Sequence, residues 1–252
     1  MEINYFDWYS PELNRNMPVK VYGHAGKAIL YIPCQDGRFV DFENFHMTDT
    51  FAPWLESGKC VVFSIDTVDA ESWSDQGGDP DYRIHVHENW INYITREVVP
   101  FMRGFVNDRN GWDGYPGCMV CGCSMGATHA LNLYLRFPDL FDRCMALSGI
   151  YHAGFFFGEY NNELIYKNSI TDYMTNFPPD HPFIEEYNKH KAVVCVGMGA
   201  WEEPWSTQYL DKRFKELGIN IWVDYWGSDV NHDWPWWYKQ AEYFLPYLLD
   251  EQ

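Results

Sequence analysis

The sequence predicts an α/β fold: a mostly parallel central sheet with helices on both faces and a short cap insertion. Three observations carry this. Short continuous apolar runs recur along the 252 residues, amphipathic stretches separate them, and no linker, repeat or low-complexity tract divides the chain. Alternating strand and helix implies right-handed crossovers and a doubly wound sheet. Residues 1–252 therefore read as a single domain, a length that one hydrophobic core can still serve.

In chain order, Ile3 to Tyr9 and Val19 to Tyr22 read as strands joined by a turn containing Pro11, Asn14 and Asn16, an N-terminal hairpin. Ala28 to Pro33 and Val61 to Ile65 are continuously apolar, as strands covered on both faces must be, and an amphipathic stretch around Phe51 to Leu55 lies between them. From Asp81 to Arg103, Ile84, Trp90, Ile91, Ile94, Val98 and Phe101 recur at helical spacing, predicting one long amphipathic helix. Cys118 to Cys123 reads as a strand and Met125 to Phe137 as a helix stopped by Pro138. Met145 to Leu147, Ala192 to Val196 and Ile219 to Trp226 are the later strands, and Trp205 to Leu217 and Trp234 to Leu249 the later helices. Between them, residues 151–190 are irregular and aromatic, and read as a cap-like excursion.

Composition narrows the partners. Thirty-six acidic against 18 basic residues give a formal charge of -18, which opposes binding to nucleic acid or an anionic membrane. No apolar run approaches the roughly 20 residues of a membrane span, and the N-terminus lacks a basic region followed by an apolar stretch. Cytoplasm is the default expectation, and seven cysteines in mostly apolar, strand-like contexts fit reduced thiols there. Cys118 and Cys121 have C-x-x-C spacing, yet no second pair completes a tetrahedral set; His85 and His87 face apart on a helix. No Gly-rich phosphate loop occurs, so neither a metal nor a cofactor is expected. Aromatic residues reach 19%, which makes an apolar or stacking ligand plausible.

Gly122-Cys123-Ser124-Met125-Gly126 matches G-x-S-x-G and lies between an apolar strand and a helix, where a nucleophile elbow must lie. A serine hydroxyl needs a base to take its proton, and the base needs an acid to fix its tautomer, in the chain order Ser, acid, His. His232, in the loop before the last helix, fits the base; His152, His181 and His190 do not fit that place. The acid belongs after the strand Ala192 to Val196, where Glu202 is favoured over Glu203, which directly precedes Pro204. Asp229 and Asp233 are too close to His232 in sequence and are better suited to capping or solvation. Backbone amides complete the set: Met125 at the start of the helix, and Gln35, with Asp36 behind it, in the loop after Ala28 to Pro33.

These residues, with Gly23-His24-Ala25-Gly26, Val68 to Trp73, Ser148 to Tyr151 and His232 to Trp237, make the chain resemble the α/β-hydrolase superfamily over nearly its whole length. The resemblance is to the esterase branch that holds esterase D-like and mycolyltransferase-like proteins, nearest to a bacterial group within it. It implies that Ser124, Glu202 and His232 form a catalytic triad, that Gln35 and Met125 supply the oxyanion hole, and that the substrate is a small-molecule ester. One departure is that such esterases usually carry His-Gly or Asp-Gly at the oxyanion loop, where this chain has Pro33-Cys34. Trp73, Tyr151 and Trp234 are expected to line the substrate site. The same triad serves acyl transfer to another acceptor, and the fold also serves as a non-catalytic binding scaffold. Oligomeric state is open.

Overall fold

A computed structural model describes residues 1–114 and 116–250. In it β1 (Ile3–Ser10) and β2 (Arg15–Tyr22) form the expected hairpin, pairing from Ile3 opposite Tyr22 to Ser10 opposite Arg15. Next come β3 (Lys27–Ile32), the short helix α1 (Asp41–Asn44), α2 (Met47–Glu56) and β4 (Cys60–Ile65). Helices α3 (Pro80–Tyr93) and α4 (Val99–Asn110) precede β5 (Cys118–Cys123), α5 (Met125–Arg136) and β6 (Phe141–Leu147). Four short helices follow, α6 (Gly154–Phe157), α7 (Glu163–Asn168), α8 (Ile170–Thr175) and α9 (Phe183–Lys189). The chain then runs through β7 (Lys191–Val196), α10 (Pro204–Leu217), β8 (Trp222–Tyr225) and α11 (Trp234–Leu249).

The eight strands form one sheet in the order β1-β2-β4-β3-β5-β6-β7-β8, antiparallel from β1 through β4 and parallel from there on. Side chains alternate across each strand, which splits the core in two. Leu30, Phe63, Val120, Ala146 and Val194 pack under α3, α4, α5 and α10; Ile29, Tyr31, Val62, Cys121 and Cys195 pack under α2 and α11. Strands buried on both faces explain why these segments read as continuous apolar runs.

The structure corrects three readings of the sequence. The single helix expected over Asp81 to Arg103 is two helices joined by a π-helical turn, Ile94–Val98. Pro100 has no N–H to donate back along the helix, and a wide turn just before it resets the register while the apolar stripe continues. The last strand is shorter than Ile219 to Trp226, because Gly218 (φ 68°) caps α10 and Ile219 bonds back to Phe214 before extension begins at Trp222. The excursion over residues 151–190 is helical rather than irregular, but none of its helices exceeds seven residues, too few for periodicity to register. Buried Asn168 fixes it to the body, donating to Glu88 on α3 (3.0 Å) and accepting from Asn132 on α5 (2.8 Å).

All seven cysteines are free thiols, six buried and Cys34 half-buried. His85 is exposed and His87 buried on α3. No helix among the described residues is long and apolar enough to cross a membrane.

Candidate active site

The parallel strands end together at one edge of the sheet, and four of the loops leaving that edge build the site. At the end of β5 the chain turns into α5 within one residue, Ser124, at φ 57° and ψ -127°. L-residues seldom adopt this backbone, and holding one there costs about 1–3 kcal/mol. Packing enforces it. A Cβ at Gly122 would come within 2.4 Å of the Gly126 carbonyl carbon, and one at Gly126 within 2.3 Å of the Ile32 oxygen and 2.5 Å of the Pro33 oxygen. Only hydrogen at both positions lets the turn close and lets the loop after β3 lie against the start of α5.

Ser124 Oγ is 2.9 Å from His232 Nε2, and His232 Nδ1 is 3.3 Å from Glu202 Oε2. The Glu202 side chain is 1% exposed, the His232 side chain 21%, and Ser124 is half-buried, so the row begins at a buried acid. The loops bearing the last two residues are laced together: His232 N donates to Ala200 O, Gly199 N to Val230 O and Ala200 N to Asn231 Oδ1. Glu202 Oε1 accepts from Ser148 Oγ (2.8 Å) and from Gly197 N (3.2 Å), leaving Oε2 for the imidazole. Glu203 points elsewhere. Its carboxylate caps α10, accepting from Trp205 N, Ser206 N and Ser206 Oγ. Asp233 likewise caps α11 through Trp234 N.

Met125 N opens α5 beside Ser124, and Gln35 lies in the turn Cys34–Gly37, where Asp36 takes φ 59°. Ser74 Oγ braces this turn, accepting from Gln35 Nε2 and donating to Asp36 Oδ1, both at 2.7 Å. Burial pushes the adjacent Cys34 thiol up to about 12, so it stays protonated and does not compete as a nucleophile.

The expected substrate-contacting aromatics divide. Trp73 and Tyr151 are each only 1% exposed, so neither forms open surface. Trp73 is enclosed by His87, His129, Phe156 and Phe157, and Tyr151 is buried with its backbone tied to α8 and α10, its O accepting from Thr171 N and its N donating to Ser206 Oγ. Large aromatic area is most stabilising when buried, and here that outweighs exposure to a ligand. Trp234 is half-buried beside His232, stacked on Phe45 at 4.5 Å. Two contacts at the row were not foreseen from sequence: Ser148, and Trp237, whose indole N–H donates to Ser148 Oγ (3.0 Å). The available signal was positional, a polar residue directly after an apolar strand and a tryptophan one turn into the helix that follows His232.

A family model described as "Putative esterase" matches residues 10–241. The chain belongs to this esterase family. It is a serine esterase of the α/β-hydrolase fold. Among solved structures it is similar to a ferulic acid esterase (14% identity, TM-score 0.73, covering 98% of each chain). It is also similar to an S-formylglutathione hydrolase from Agrobacterium tumefaciens (13%, 0.71, covering 97% of this chain and 93% of that one). A third is MPT51 from Mycobacterium tuberculosis (14%, 0.65, 98% of each). Comparison by sequence with curated proteins gives no significant match.

Proposed function

We propose that this esterase hydrolyses a small or medium carboxylic ester through an acyl-enzyme on Ser124. The observation that carries the reading is the continuous row Ser124, His232, Glu202 at 2.9 and 3.3 Å, with the serine on a strained backbone. Ser124 Oγ attacks the ester carbonyl while His232 Nε2 takes its proton, and Glu202 accepts from Nδ1–H and offsets the charge of the imidazolium. The Met125 and Gln35 backbone N–H groups hold the oxyanion, with Asp36 the alternative donor in the second loop. Collapse expels the alcohol, which leaves with the proton from His232. Water then gives a proton to His232 as it attacks the acyl carbon, and the acid departs from a regenerated Ser124. No step calls on a cofactor. Trp234 forms one wall near the leaving group, and the formal charge of -18 disfavours strongly anionic esters.

The test pairs fluorophosphonate labelling with p-nitrophenyl esters of graded acyl length, extended to a ferulic acid ester and S-formylglutathione because the names of similar proteins state those substrates. Wild type should be labelled and active and Ser124→Ala neither; a wild type that turns over none of these esters refutes the reading. Adding a competing alcohol separates hydrolysis from transfer by the products formed.

A further inference from the structure

Beyond the three residues of the row, the contacts around Glu202 close into a ring. Trp237, 4% exposed in the first turn of α11, donates its indole N–H to Ser148 Oγ at 3.0 Å. Ser148 stands 2.8 Å from Glu202 Oε1, and Glu202 Oε2 faces His232 Nδ1 at 3.3 Å. The imidazole returns to the start, perpendicular to the Trp237 ring at 5.0 Å and 85°. Ser148 is fixed within this ring: it is 2% exposed, at φ 58°, with its N–H on Cys195 O.

Hydrogen-bond direction gives the ring its consequence. An indole N–H can only donate, so it occupies a lone pair of Ser148 Oγ, and the one hydroxyl proton is then free for the carboxylate. Each bond polarises the next in a buried chain. Glu202 Oε1 thus carries two donors, Ser148 and Gly197 N–H, which share its negative charge and fix its plane. The perpendicular indole also restrains the imidazole plane that aims Nε2 at Ser124.

We infer that Trp237 is a positioning residue for the reaction: through Ser148 it orients Glu202, and through ring contact it orients His232. The inference rests on the hydrolytic reading above. Removing the indole N–H weakens the Ser148 donor on Oε1, concentrates negative charge toward the imidazole and favours the imidazolium. Since His232 must be neutral to accept the serine proton, the acid limb of the kcat/KM profile moves to higher pH. The ionisable groups on the elements that carry or adjoin the imidazole are Glu202 and Glu203 on the loop after β7, Asp229 and Asp233 on the loop bearing His232, Cys123 on β5, and Tyr238, Lys239, Glu242, Tyr243 and Tyr247 on α11. Burial raises the Cys123 thiol and the Tyr238 phenol, keeping both neutral. None of these groups is altered by a change at Trp237.

The experiment compares wild type, Trp237→Phe, Ser148→Ala and the double variant on p-nitrophenyl acetate across pH, with fluorophosphonate labelling of each. Phe keeps a ring against His232 but has no donor. The expected result is an acid midpoint raised in both single variants, kcat lowered about tenfold with KM within about twofold, and a double variant no worse than the poorer single one, as two links of one chain should behave. An acid midpoint equal to wild type overturns the inference, whatever the rate. If Trp237→Phe does not fold, Ser148→Ala decides by the same midpoint. A labelled, active wild type with unmoved midpoints refutes only the role of Trp237; an unlabelled, inactive wild type refutes the hydrolytic reading and this role with it.

Discussion

Replacing Glu202 by Gln preserves the shape of the acid and reverses one hydrogen bond. The amide oxygen can take the Oε1 place and keep its bonds from Ser148 and Gly197 N–H, which puts the NH2 group where Oε2 faces His232 Nδ1. A donor there forces the imidazole to carry its own proton on Nε2, and such a ring cannot accept the Ser124 proton. The lost attraction between carboxylate and imidazolium at 3.3 Å is about 5 kcal/mol at an effective dielectric constant of about 20. At about 1.36 kcal/mol per decade, this sets an upper bound between about 10^3- and 10^4-fold. We therefore expect kcat/KM for p-nitrophenyl acetate at pH 7.5, roughly the plateau for a histidine base, to fall about 10^3-fold with an unchanged circular dichroism spectrum. Glu203→Gln is the control: it removes charge from a helix cap, costs about 1 kcal/mol of stability or less, and leaves kcat/KM within about threefold. A Glu202→Gln enzyme within tenfold of wild type, or a larger loss in Glu203→Gln, would refute the assignment of the acid.

Three further outcomes follow from the same geometry. Ser124→Gly removes activity but also the unfavourable φ of 57°, so a gain of about 1 kcal/mol and a Tm rise of about 2–4 °C are expected by calorimetry; a lower Tm contradicts the claim of strain. Gly126→Ala drives a methyl toward the Ile32 and Pro33 carbonyls, and denaturant unfolding should report a loss of about 1–3 kcal/mol, together with a drop in kcat as the loop after β3 is pushed away. Burial, with the nearby His129, holds His87 neutral well below 6.5, whereas the unfolded chain takes up that proton; this part of the stability is complete above about pH 6.5 and lost as pH falls below it. His87→Leu should flatten the decline by about 1.4 kcal/mol per pH unit between pH 6 and 5, and an unchanged slope in urea titrations would exclude His87 as its source.

What could be read from the sequence follows what physics makes local. Central strands buried on both faces announce themselves as apolar runs, and the strand, turn and helix around Ser124 needed only the spacing of two glycines whose Cβ positions are occupied by backbone. The capping place of Glu203 is legible because it directly precedes Pro204, the first residue of a helix, which leaves Glu202 as the carboxylate facing His232 Nδ1. Other features depend on contacts between distant segments. The π-helical turn before Pro100 leaves the hydrophobic stripe intact, and the helices of the excursion are too short to show a period. Trp73 and Tyr151 carry no local mark separating a pocket wall from a packed core. The Trp237 to Ser148 bond joins residues 89 apart, so pattern could supply the two residues but not their meeting.

The most direct measurement is the mass of the protein quenched in acid during turnover of a p-nitrophenyl ester, followed by peptide mapping. One acyl group is expected, on the peptide containing Ser124, absent from Ser124→Ala and present at higher occupancy when substrate is saturating. Turnover with Ser124 unmodified, or undiminished turnover by Ser124→Ala, would contradict it.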